Sequence, residues 1–255
     1  MKRVKILGTH LRLYDEKSAI EKTDSLILSG RGGMVFTPNP TILHDCRHSP
    51  EMQKILSSAD VGICDGVGLS LGARLLGYGK IERVCGVDYG EKIAELCARR
   101  GYSLYLLGGE RGVAEKAAKN LIAKYPALKI AGTHHGYFDV EWRVLAEISL
   151  AEPQVIFVCL GSPKQEKFIY YNRKTLSSSV MVGLGGSLDI YSGEKRRCPS
   201  LLRRFGLEWA YRLYREPKRI KRSHLFAFSR EVIFERFCVK IHKKTEKKLK
   251  KRVKS

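Results

Sequence analysis

No stretch of this 255-residue chain approaches the roughly 18 consecutive apolar residues that a membrane-spanning helix needs. The N-terminal Met1-Lys-Arg-Val-Lys-Ile-Leu-Gly is also too short in apolar residues for a signal peptide. The expectation is a cytoplasmic protein, held peripherally at the inner face of the cell membrane. None of the seven cysteines forms a C-x-x-C pair, and Cys64 and Cys159 sit inside apolar runs, so reduced structural thiols are expected. G-x-G-x-x-G is missing, as is G-x-x-x-x-G-K-[ST], so neither a dinucleotide fold nor an ATPase is signalled by its own motif. No D-x-D occurs either. An enzyme of nucleotide sugars built on this chain would have to neutralise its leaving diphosphate with arginines instead of Mg²⁺ or Mn²⁺, and no metal or cofactor is expected. The last quarter lacks aspartate altogether: from Lys195 to Ser255 there are 22 Lys and Arg against 5 Glu, which is +17 of the formal +21.

What is present reads as an α/β fold. Val4–Leu7, Gly33–Thr37, Val61–Cys64, Ser103–Leu107, Lys129–Gly132, Val155–Leu160 and Val180–Leu184 have the composition of strands. Between them, Asp88–Arg100 and Arg111–Tyr125 carry apolar residues at three and four spacing, the helical period. This βαβ rhythm predicts a Rossmann-like, largely parallel sheet flanked by helices over residues 1–194. A basic helical appendage follows over 195–239, and 240–255 is Lys-rich with few apolar residues, the composition of a disordered tail. Because basic residues interleave with large apolar ones, as in Leu201–Arg215, the appendage suits a surface both anionic and apolar, such as a membrane face. Leu225, Phe226, Phe228, Ile233, Phe234 and Phe237 are expected to supply its apolar contact.

In parallel sheets ligands bind beyond the carboxyl ends of the strands, so the residues after each strand carry the chemistry. Asp65 follows Val61-Gly-Ile-Cys and precedes Gly-Val-Gly, which suits a general base at the sheet rim. The alternative is that it caps the helix beginning near Val67. Gly108-Gly109-Glu-Arg-Gly opens a helix as an anion cradle would, and equally as a tight turn that lets helix and strand approach. Arg83 at the rim can grip a diphosphate at two points, and Gln165 can donate to a sugar hydroxyl or phosphate oxygen. Thr37 and Asn39 flank Pro38 in a rigid turn, though Asn39 also fits a helix cap. His134-His135 is rejected as a metal site, because adjacent histidines on a strand point to opposite faces.

Taken in order, Thr37-Pro-Asn-Pro, Ala59-Asp-Val-Gly-Ile-Cys-Asp65-Gly-Val-Gly, Arg83-Val-Cys-Gly-Val-Asp88, Leu106-Leu-Gly-Gly, Tyr125-Pro with Gly132-Thr-His-His-Gly-Tyr-Phe, Leu160-Gly-Ser-Pro-Lys-Gln-Glu, Val182-Gly-Leu-Gly-Gly-Ser-Leu-Asp and Gly206-Leu-Glu-Trp-Ala-Tyr-Arg-Leu resemble the motifs of the WecG/TagA/CpsF glycosyltransferases over about 220 residues. The resemblance is nearest to the TagA-type N-acetylmannosaminyltransferase branch. It implies an inverting transfer of a sugar from a UDP-sugar donor to a polyprenyl-diphosphate-linked acceptor. In that branch N-acetylmannosamine goes to N-acetylglucosamine on undecaprenyl diphosphate, giving the linkage unit of wall teichoic acid. Other branches use UDP-N-acetylmannosaminuronic acid or UDP-glucose. It also implies that Asp65 is the base and that Thr37 and Asn39 position acceptor or base. Arg83 and Gln165 would hold the donor, with Gly108, Gly109 and Gly185 on the substrate side. Arg212, Arg215, Arg219 and Arg222 are the arginines available to reach the diphosphate. The family's Arg-Ala-Pro reads Arg197-Cys198-Pro199 here, and after Arg222 no match holds.

Two other classes compete. A nucleic-acid-binding protein would share the charge, but a basic tail on a near-neutral body offers no groove-reading motif and no stacking platform, so no nucleic-acid partner is expected. A nucleotide-dependent oxidoreductase fails on the missing fingerprint. Apolar surface between appendage and body is compatible with a homodimer.

Overall fold

In the computed structural model, which describes residues 1–215, 224 and 226–239 but not the side chain of Arg212, the seven expected strands all appear, together with one more. They are β1 (Lys2–Ile6), β2 (Thr9–Tyr14), β3 (Gly33–Phe36), β4 (Val61–Ile63), β5 (Ser103–Gly108), β6 (Lys129–His134), β7 (Val155–Cys159) and β8 (Val180–Gly183). All join one sheet in the order β1-β2-β4-β3-β8-β7-β5-β6. Every pairing is parallel except β1 with β2.

The hairpin strand β2 has no counterpart among the expected strands. Its turn is Leu7-Gly8, both at positive φ (48° and 82°), a two-residue connection whose twist suits a hairpin but which lacks the usual Asn-Gly or Asp-Gly signal. Beyond the turn the chain alternates strictly, with Thr9, Leu11 and Leu13 buried and His10 exposed.

The central strands β4, β7 and β8 are buried along their whole length, as parallel strands covered on both faces must be. One face packs against α1 (Glu16–Leu28), α5 (Gly86–Arg100), α6 (Val113–Lys124) and α9 (Ser187–Tyr191), through Ala19, Ile27, Ile93, Ala114 and Leu188. The other packs against α2 (Pro40–Cys46), α3 (Pro50–Ser57), α4 (Val67–Leu75), α7 (Glu141–Ala151) and α8 (Lys164–Asn172), through Leu43, Ile55, Leu69, Ile148 and Phe168.

The C-terminal segment attaches more thinly. Helix α10 (Ser200–Arg204) buries no residue, and α11 (Glu208–Arg215) follows it. A last helix, α12, spans residues 226–239. Phe228 and Val232, one turn apart, are buried and join the core beneath α4, where a side chain on Gly72 would meet the Phe228 ring at 3.2 Å. Phe226, Ile233, Phe234 and Phe237 remain exposed on the other side of this helix. Phe228 is therefore corrected from surface contact to core: it is the residue that seats α12, because its ring fills the space Gly72 leaves. Arg219, Arg222, Leu225 and residues 240–255 lie outside the described residues.

Candidate active site

The carboxyl ends of β3, β4, β7 and β8, the four central strands, open on one cavity of about 1090 Å³. That is the upper end of the range for small-molecule pockets, with room for a nucleotide sugar and the head of a second substrate. Of the residues singled out from the sequence, Thr37, Asn39, Asp65, Gln165, Gly185 and Arg215 line it.

Thr37, Asn39, Asp65 and Gly185 stand just after their strands, whereas Gln165 belongs to α8 and Arg215 to α11. After β3, the buried Thr37 hydroxyl donates to the Gly183 carbonyl of β8 at 2.9 Å, which fixes the two strand ends to each other. Asn39 is the N-cap of α2 and accepts from the Ile42 N–H at 3.0 Å, so it caps a helix and lines the cavity at once. After β4, the Asp65 N–H donates to the Pro38 carbonyl at 3.0 Å and the Val84 N–H to the Cys64 carbonyl at 3.0 Å. The N-cap of α4 is Gly66, at φ 95°, and not Asp65. A Cβ added to Gly86 would lie 3.6 Å from both Asp65 Oδ2 and Thr37 Cγ2. The carboxylate and the threonine thus stand together over the first residue of α5, whose N-terminus is the positive end of a 15-residue helix.

Gln165 is almost wholly buried and spends its amide on structure. Its Nε2 donates to Glu166 at 2.9 Å, and its Oε1 accepts from the Gly185 N–H at 2.8 Å, which shapes the turn after β8. Gly185 takes φ 58°, in the left-handed region that glycine favours. Burial pushes the Glu166 carboxyl above its usual range, and Oε2 finds no hydrogen-bond partner among the described residues.

Arg83, Gly108 and Gly109 do not line the cavity. The Arg83 guanidinium donates to the Arg203 carbonyl at the end of α10 at 2.7 Å, tying the C-terminal segment to the rim. Gly108 and Gly109 form the tight turn: a Cβ on Gly108 would lie 2.3 Å from the Cys159 carbonyl oxygen, and one on Gly109 2.6 Å from Val113.

The sequence reading missed several lining residues. From the C-terminal side come Lys195, Arg196, Glu208, Tyr211 and Tyr214, and from α2 comes Asp45. Lys195 pairs with Asp189 at 2.8 Å, while Arg196 and Arg215 make no ion pair among the described residues. Arg197 pairs with Asp88 in the first turn of α5 and anchors this stretch. Cys85 donates to Glu208 at 3.6 Å, and burial, reinforced by Asp65 and Glu208, pushes its thiol up to about 12. The signal for Glu208 was the Gly206-Leu-Glu-Trp motif itself; nothing in the sequence marked Asp45 or Arg196.

The histidine pair also needs correcting. β6 ends at His134, so His135 is outside the strand, and the two rings lie 4.5 Å apart instead of on opposite faces. His134 Nδ1 lies 2.7 Å from its neighbour's carbonyl oxygen, and no third ligand-bearing side chain joins the pair among the described residues.

Comparison with known proteins gives the family. The model of the family described as "Glycosyl transferase WecG/TagA/CpsF family" matches residues 4–241, so the likeness runs past Arg222, where the motifs read from the sequence stop. An N-acetylglucosaminyldiphosphoundecaprenol N-acetyl-beta-D-mannosaminyltransferase from Bacillus subtilis (strain 168) is 34% identical over 191 residues, 75% of each chain. Proteins of the same description are 33% identical over 192 residues in Bacillus spizizenii (75% of each chain) and 32% identical over 189 residues in Staphylococcus aureus (strain MW2), 74% of each.

Proposed function

The chain belongs to the WecG/TagA/CpsF family of glycosyltransferases, and we propose that it transfers N-acetylmannosamine from UDP-N-acetylmannosamine to N-acetylglucosamine on undecaprenyl diphosphate. The names of its relatives supply the transferred sugar and the acceptor. The observation that carries the mechanism is the Asp65 carboxylate over Gly86 in a cavity also lined by Arg196 and Arg215.

In the proposed step Asp65 takes the proton from the acceptor hydroxyl. The oxygen attacks the anomeric carbon, the bond to UDP breaks with inversion, and the diphosphate leaves with its electron pair. Thr37 and Asn39 hold the rim in register, and Gln165 sets the Gly185 turn on the donor side. Arg196, Arg215 and the arginines of the C-terminal segment offset the diphosphate charge, so the chemistry runs without a metal ion. Arg83 acts by holding α10 against the rim. The exposed Phe226, Ile233, Phe234 and Phe237, with the surrounding Lys and Arg, rest on the anionic inner leaflet where the lipid acceptor lies. Among the described residues no helix is long and apolar enough to cross a membrane.

The test is transfer from a panel of UDP-sugars to a short-chain lipid diphosphate-N-acetylglucosamine, with Asp65→Ala alongside and EDTA present. Turnover with UDP-N-acetylmannosamine that persists in EDTA and disappears in Asp65→Ala is expected. Turnover only with UDP-N-acetylmannosaminuronic acid or UDP-glucose would move the protein to another branch, and none with any donor would refute the reading.

A further inference from the structure

Three of the chain's seven histidines gather where the C-terminal segment meets α2. His44 and Asp45 come from the last turn of α2, His48 follows one turn later, and His224 has helical backbone two residues before Phe226. One ligand-capable atom each of His44, Asp45 and His224 lie within 4.8 Å of one another. The His44 and His224 rings are 4.7 Å apart, and the exposed His48 ring is 6.4 Å from His44.

We propose that His44, Asp45 and His224 form a binding site for a single divalent transition-metal ion of the zinc type, which clasps the C-terminal segment to α2. Three observations carry it. First, the donors have the right chemistry: two imidazoles and a carboxylate suit Zn²⁺, Co²⁺ or Ni²⁺, and at bond lengths of about 2.0–2.2 Å tetrahedral ligands stand roughly 3.3 Å apart. A span within 4.8 Å needs only small side-chain rotations to close. Second, His224 Nδ1 is buried and 2.8 Å from Asp45 Oδ1, yet among the described residues it makes no hydrogen bond of acceptable direction. Two ligand atoms this close and out of line for each other are arranged as donors to a third centre.

Third, the surroundings are those of a metal ligand. His44 Nδ1 is 2.9 Å from Glu231 Oε2, a carboxylate buried in α12 and also paired with Arg47 at 3.2 Å. An Nδ1–H held by that carboxylate leaves Nε2 as the lone-pair donor, the arrangement in which an outer carboxylate orients a ligating imidazole. Asp45 and Glu231 together offset the charge of a divalent ion in an otherwise basic region. The consequence is mechanical. Asp45, with Thr41 and Ile42, lines the cavity, so an ion here would fix the wall of the site and the root of α12 in one step. The ion would take no part in the sugar-transfer step, and the proposal does not depend on that step.

The experiment uses the untagged full chain, stripped with chelator and dialysed, and reads metal binding directly. Co²⁺ titration followed by visible absorption, and Zn²⁺ competition against a chromophoric chelator, should give one equivalent bound, with intense tetrahedral-type Co²⁺ bands. Mg²⁺ should not compete. His224→Ala and Asp45→Asn should each weaken Zn²⁺ at least tenfold, whereas His134→Ala and His10→Ala should leave it unchanged. Zn²⁺ should raise the melting temperature of the parent chain and not that of His224→Ala. Because His224→Ala is also able to loosen α12, His224→Cys serves as a second variant: a thiolate ligand should keep Zn²⁺ bound and shift the Co²⁺ spectrum toward sulfur charge transfer. Equal affinity in the parent, His224→Ala and Asp45→Asn, or no bound equivalent at all, would overturn the proposal.

Discussion

Two regions meet at the cavity, and they hold their side chains by opposite means. On the sheet side, Thr37, Asp65 and Gln165 are fixed through buried backbone and side-chain hydrogen bonds that cross between strand ends, such as Thr37 to Gly183 and Gln165 to Gly185. On the C-terminal side, Tyr214 and Arg215 are exposed on a helix that follows α10, whose five residues bury nothing. The difference assigns the work. Groups that must hold a reacting atom within a fraction of an ångström belong on the over-determined rim, and groups that collect an anionic, lipid-borne substrate can stand on the thinner layer.

The largest effect expected from breaking this comparison is at Asp65. Asp65→Ala should lower turnover by about 10²–10⁴, the usual worth of a general base, with little change in melting temperature. Next comes the seam between the regions. Phe228→Ala removes a buried ring and should weaken the seating of α12 by about 3–5 kcal/mol. Hydrogen exchange should then speed up across residues 226–239 while the amides of β7 and β8 keep their protection. A smaller, purely surface effect is expected from replacing both Phe234 and Phe237 by Ser. Vesicles containing anionic lipid should bind at least tenfold more weakly, as each buried phenyl ring is worth about 1.5–3 kcal/mol. Unchanged vesicle binding would separate these residues from any membrane role.

The smallest effect concerns pH. Burial raises the folded carboxyl of Glu166 above its usual 4.5. The folded state therefore holds this proton more tightly than the unfolded chain does. Its contribution to stability is complete below about 4.5 and is lost as pH rises through the folded value. Glu166→Gln keeps an acceptor for Gln165 and cannot ionise, so denaturant unfolding across a pH series should show a flatter decline than the parent.

The same contrast governs what the sequence made legible. Strands buried on both faces advertise themselves as apolar runs ending in glycine or proline, and their ends carried Thr37, Asp65 and Gly185 to one rim. The strand β2 escaped because Leu7-Gly8 makes its hairpin turn without an asparagine or aspartate, even though Thr9, Leu11 and Leu13 alternate behind it. Nothing local in the sequence reveals that Arg83 has a carbonyl partner 120 residues away. Composition alone cannot tell which phenylalanine of α12 faces inward; the space over Gly72 decides in favour of Phe228. Asp45 and Arg196 reach the cavity by tertiary placement, without any motif of their own.

The most direct test of this division of labour is steady-state kinetics of Asp65→Asn and Arg215→Ala in one assay, varying donor and acceptor separately. The account predicts that Asp65→Asn lowers kcat by two orders of magnitude or more at nearly constant KM, whereas Arg215→Ala raises a KM several-fold and leaves kcat within about twofold, the signature of uniform binding. A loss of kcat from Arg215→Ala as deep as that from Asp65→Asn, or an Asp65→Asn enzyme altered only in KM, would contradict it.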